Sequence, residues 1–138
     1  LYTSSMLQEK EFNMLYVGQM IYRFKFDLTS SKYGIIKHTF QITSAKEQRY
    51  AHKKYIEYCT KCIEDPAIKY KGGYYREEES FDFEKAKPSG RYIYVLLKED
   101  DANYAKQIVG EYLDAQIAKC KVQLLEFEKK SSILAKLI

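Results

Sequence analysis

The series Ala105, Ile108, Tyr112, Gln116, Cys120, Leu124, Phe127, Ser131, Leu134 and Ile138 advances by three or four residues at each step. That is the period of one helix face, and Val109, Leu113, Ile117 and Leu125 widen the stripe. Asp100 or Asp101 ahead of it offers a capping oxygen and a negative charge suited to a helix N-terminus. The spacing predicts one helix of about 35 residues, or a helix that breaks near Ser131 and Ser132; Gly110 weakens it by about 1 kcal/mol relative to alanine. Such a helix spans roughly 50 Å, while a strand of seven residues spans about 23 Å. No sheet built by a chain of 138 residues with ordinary strands covers more than the first half of that length. The outer half carries Leu124, Leu125, Phe127, Ile133 and Leu134, an apolar set of the kind that marks an interface when left in water. These five are the candidate partner-binding residues, with a protein partner or a homo-oligomer as the expected occupant.

Upstream the period changes from 3.6 to 2. In "MIYRFKFDL", Met20, Tyr22, Phe24, Phe26 and Leu28 alternate with Ile21, Arg23, Lys25 and Asp27, and "IIKHTFQIT" alternates likewise, so the two predict an antiparallel hairpin across "TSSKYG". Ser44 and Glu47 then stand at capping-box spacing, and Ala51, Tyr55, Tyr58, Cys59 and Cys62 fit a helical stripe. Together they predict a helix from Ala45 to Ile63, stopped before Pro66. Gly72-Gly73, between "AIKYK" and "YYREEESFDF", reads as a tight hairpin turn. "KPSG" reads as another turn, and "RYIYVLL" as a central strand covered on both faces. A weak amphipathic pattern over residues 4–16 predicts a short first helix. The whole is a single α+β domain over 1–138: an antiparallel sheet of about five strands in the order (α)ββα-βββ-α, with a long C-terminal helix.

Several activities have little to stand on. Neither GxxxxGK[ST] nor GxGxxG occurs, and Gly72-Gly73 leads into a strand instead of a helix N-terminus, so no phosphate cradle or cofactor site is expected. Only two histidines are present, and no nucleophile elbow or HExxH pattern accompanies them; the sequence favours a role without catalysis. Cys59 and Cys62 have CxxC spacing, but zinc needs four ligands, and His52 with Cys120 would have to complete the set across two helices; two small core residues are expected instead, and no metal. The net charge of +4 is too mild to argue nucleic acid alone, and an acidic stretch, residues 64–84, divides two basic ones. Lys69, Tyr70, Lys71, Tyr74, Tyr75 and Arg76 nevertheless interleave cations with aromatic rings, which supports single-stranded nucleic acid or a nucleotide as the alternative ligand. "KGGYY" and "IYVLL" are similar to the two submotifs of RNA-recognition domains but stand in reverse order, which excludes that family. No run is long and apolar enough for a membrane span. Three cysteines, an odd number, favour a reducing intracellular compartment, and the start at Leu1 is compatible with a cleaved presequence. The reading is a binding or assembly protein, such as an accessory subunit of a larger complex or a small phage or mobile-element protein. Its contact surfaces are a tyrosine-rich sheet and the long helix.

Overall fold

The computed structural model describes residues 15–29, 31–68, 71–72 and 81–138. Six strands form one antiparallel sheet: β1 (Met20–Asp27), β2 (Gly34–Tyr50), β3 (Lys53–Cys62), β4 (Lys71–Gly72), β5 (Lys87–Ser89) and β6 (Tyr92–Leu97). Their order across the sheet is β4-β3-β2-β1-β6-β5. One helix, α1 (Ala102–Ala135), follows. The chain is therefore α+β, with an antiparallel sheet and a long C-terminal helix, as its two periodicities predict. The expected first helix lies on residues 4–16, almost wholly outside the described residues.

The hairpin of β1 and β2 has the expected alternation, with Phe24 opposite Lys37 and Ile21 opposite Phe40. Because successive residues of a strand face opposite sides, β1 feeds two separate cores. Phe24 and Phe26 pack with Val95, Leu97, Ala105 and Val109 under α1. Ile21 packs on the other face with Phe40, Ile42, Tyr58, Cys62, Phe81, Leu96 and Leu15. β6 divides the same way: Leu96 belongs to one core and Val95 and Leu97 to the other. This is why "YIYVLL" carries no polar residue, although β6 lies second from one edge of the sheet.

The helix expected over 45–63 is not formed. Those residues continue β2 and return as β3, an antiparallel ribbon with Tyr50 opposite Lys53. A bulge explains the misleading pattern. The register shifts between Ile42 and Ser44, so Thr43 is the extra residue, and its hydroxyl donates to the Cys59 carbonyl at 3.2 Å. Before it, Phe40 and Ile42 face the Cys62 side; after it, Ala45 and Glu47 do, opposite Tyr58 and Ile56. The shift of parity erases the period of 2 along β2 and leaves chance matches to 3.6. On β3 the alternation survives as Ile56, Tyr58, Thr60 and Cys62, and it was the legible signal. Beyond Cys62 the Glu64 carboxylate extends the ladder by accepting the Thr39 backbone N–H at 2.6 and 2.8 Å. Burial pushes that carboxyl up, but the bonds from Thr39 outweigh it and hold it below its ordinary range.

The turn of this ribbon is Ala51-His52, and Ala51 has φ of 56°, a region alanine enters at a cost of about 1–2 kcal/mol. Only the first central residue of the turn takes positive φ, the pattern that favours glycine there. Ala51→Gly removes the strain but frees the unfolded chain by about 0.4–1 kcal/mol. The expected net is a gain of roughly 0.5–1 kcal/mol in denaturant unfolding, and a loss of stability would show that the turn is unstrained.

The remaining expectations fare unevenly. Gly72 pairs with Tyr58 in the short β4, while Gly73 and residues 74–80, which would carry the hairpin and its second strand, lie outside the described residues. "KPSG" is only partly a turn: Lys87–Ser89 form the edge strand β5, and Gly90, with φ of 60°, makes the turn. Pro88 fits an edge strand because it has no N–H to give the ladder.

Candidate assembly surface

Asp101 starts α1, its carboxylate accepting the Tyr104 backbone N–H at 3.0 Å. Asp100 beside it receives the Lys37 ammonium at 2.8 Å, which ties the helix start to β2; that bond is the main reason the lysine is held above its ordinary pKa. A second clamp sits at the end of β1. The buried Asp27 carboxylate accepts the Thr29 hydroxyl at 2.8 Å, the Thr29 backbone N–H at 3.2 Å and the Arg91 guanidinium. Burial pushes this carboxyl up, but the bonds from Thr29 and Arg91 prevail and hold it below the usual aspartate value.

From this anchored start α1 runs 34 residues without a break, straight through Ser131 and Ser132. The only buried side chains on it are Ala105 and Val109. Beyond Leu113 every side chain of α1 is exposed. Leu124, Leu125, Phe127, Ile133 and Leu134 are 57–69% exposed, so all five expected partner-binding residues stand in solvent on one projecting helix. They do not form one stripe. At 100° per residue, Leu124, Phe127 and Leu134 share a face, while Leu125 and Ile133 lie off it, each 100° from its nearest member.

The shared face extends further than those five residues. Leu113, Ile117, Cys120, Leu124, Phe127, Ser131, Leu134 and Ile138 alternate steps of four and three without exception. This is a seven-residue repeat, with Ile117, Leu124 and Ser131 at one seam position and Leu113, Cys120, Phe127 and Leu134 at the other; Ile138 keeps the spacing in sequence but lies past the end of α1 at Ala135. Leu113 and Ile117 were legible as part of the stripe, but not as part of a site, until the depth of the sheet's cover was known. The same steps continue upward through Gly110 and Lys106. There the seam meets an open apolar pocket of about 350 Å³, lined by Phe26, Leu28, Tyr33, Ile35, Gly110 and Leu113 among others. Leu28 and Ile35 are each half exposed in it. Seam and pocket form one continuous apolar surface.

The other expected sites are dispersed. Cys59 and Cys62 lie three residues apart on β3, so they point to opposite faces; Cys62 is buried, and Cys120 is exposed on α1. The CxxC spacing thus brings no pair together, and among the described residues no group of three His, Cys, Asp or Glu could hold a metal. Of the six residues that support the nucleic-acid alternative, Lys71 contributes backbone to β4, and Lys69, Tyr70, Tyr74, Tyr75 and Arg76 lie outside the described residues. His38 faces the Phe40 side of the sheet, with Arg23 Nη2 at 3.2 Å from its Nδ1. A second pocket, of about 360 Å³, gathers Glu84, Lys98, Glu99, Asp101 and Tyr104 around Phe83 and Leu97. Within it the Tyr104 phenol donates to the Glu84 carboxylate, and burial first, then that carboxylate, hold the phenol above its ordinary pKa. No helix among the described residues is long and apolar enough to cross a membrane. Comparison with protein-family models, with curated proteins and with solved structures returns no match to this chain.

Proposed function

We propose that this chain is a binding or assembly protein without a catalytic role, and that the outer part of α1 is its docking element. One observation carries the reading. A helix of 34 residues buries only Ala105 and Val109, yet keeps an apolar seam along its exposed remainder. An isolated helix in water gains little from apolar side chains, and helices in proteins draw most of their stability from packing an apolar face. Seam residues therefore stabilise α1 when something covers them, and a contiguous apolar surface of this extent is typical of interaction sites.

The test is the mass of the chain in solution. Light scattering of the unaltered chain is expected to give an assembly of two copies or more, and Leu124→Glu with Phe127→Glu to reduce it to one copy with the circular dichroism of the sheet retained. A chain that runs as a monomer at high concentration, and keeps that mass after both substitutions, overturns the reading.

A further inference from the structure

The assembly reading expects copies of this chain on the seam but leaves open their number and direction, and the charges beside the seam choose among the possibilities. We propose that the occupant is a second copy of this chain, with the two α1 helices wound into an antiparallel coiled coil. The inference rests on the assembly reading and adds number, direction and register to it.

A strict seven-residue repeat drifts by about 20° per heptad around a straight helix. Two helices that keep such a seam in contact wind around each other in a left-handed supercoil. Direction follows from the flanks. In a parallel, in-register pair, Gln116 would meet Lys121 of the other copy, Gln123 would meet Glu128, and Lys130 would meet Ala135. No pair of opposite charges forms, and Lys106, which continues the seam upward, would face its own copy. In an antiparallel pair, Leu124 packs on Phe127 and Ile117 on Leu134 of the second copy. Cys120 then falls on Ser131, so the two small polar members of the seam share one layer. The same alignment sets Lys121 against Glu128 of the second copy, twice by symmetry. Sliding by one heptad in one direction places Lys121 on Lys121, and in the other Glu128 on Glu128. Like charges directly opposed disfavour both slips, so a single register keeps apolar layers and charge complementarity together.

The pocket supplies a second, independent argument. Its helical wall, Lys106, Gly110 and Leu113, continues the seam, and a side chain built on Gly110 would meet nothing within 4 Å. In the antiparallel register Leu134 lies opposite Ile117 of the second copy, so the residues that follow the end of α1 at Ala135 arrive at the mouth of the other copy's pocket. There they cover the exposed Leu28 and Ile35. A parallel pair instead sets pocket against pocket, with Lys106 of each copy facing the other. The interface is isologous and closes at two copies, because each seam and pocket is used once.

Cys120, exposed on α1, makes the direction measurable in the full-length chain. Ser131→Cys is oxidised mildly beside the unaltered protein, the mass is followed by light scattering, and linked peptides are read by mass spectrometry. The expected result is a dimer in both samples. In the variant, nearly complete disulfide formation joins Cys120 of one copy to the introduced thiol at 131 of the other, and no interchain disulfide forms in the unaltered chain. A Cys120–Cys120 link in the unaltered chain, a variant dimer that fails to cross-link, or an assembly larger than two overturns the antiparallel dimer while the assembly reading stands. A monomer in both samples overturns the two together.

Discussion

Phe40→Ala is expected to remove about 3–5 kcal/mol of stability, the range for truncating a buried phenylalanine. Phe40 has no exposed surface. It sits opposite both Ile21 on β1 and Cys62 on β3, with the Arg23 guanidinium 5.1 Å from its ring centroid. Its ring therefore joins three strands on the face that α1 does not cover. Collapse cannot refill the space cheaply, because β1 is held by β6 on its other side and β3 by the ribbon. Domains of this size are stable by only about 5–15 kcal/mol, so the variant approaches the unfolded limit. Thermal unfolding should move down by roughly 10 °C or more. A change of less than about 1 kcal/mol would mean that the far-face cluster is not a packed core.

The second large effect is a separation of folding from assembly. A chain ended after Ile117 keeps Asp101, Ala105 and Val109, and so keeps every buried contact of α1 with the sheet. It loses the seam from Cys120 onward. The expected outcome is a monomer whose sheet retains its far-UV circular dichroism and unfolds in one cooperative transition. The full chain, in contrast, should show a melting temperature that rises with protein concentration, since association stabilises by mass action. Truncation that abolishes folding would show that the outer helix supports the sheet after all.

These contrasts also mark what was legible in the sequence. α1 was, because steps of three and four run for more than thirty residues behind Asp100 and Asp101, though the sequence left open a break at Ser131 and Ser132 that the structure does not have. β1 and the first half of β2 were, because polar and apolar residues alternate strictly through Arg23, Lys25, Lys37 and Thr39. The ribbon of β2 and β3 was misread as a helix, although β3 keeps its alternation, for two physical reasons. Thr43 shifts the faces of β2 by one residue, and the turn that follows uses Ala51 at positive φ where glycine or asparagine would have announced it. The candidate site was half legible. The apolar residues of the outer helix could be listed, but the choice of Leu124, Phe127 and Leu134 over Leu125 and Ile133 required knowing where the sheet's cover ends, and the pocket at Leu28 and Ile35 exists only once β1, β2 and α1 have met.

The position of β6 bears on how quickly the chain reaches this arrangement. β6 lies against β1, with Val95 opposite Phe24, across roughly seventy intervening residues. β1, β2 and β3, by contrast, pair with their neighbours in sequence. Local pairings close short loops and form early, while distant ones wait on the entropy of closing a long loop. The three-stranded meander is thus expected to pair before β6 joins, with one edge of β1 unsatisfied until β6 arrives. During synthesis that open edge would be displayed before β6 has emerged, and it would be the moment at which the chain is most exposed to pairing with the wrong strand.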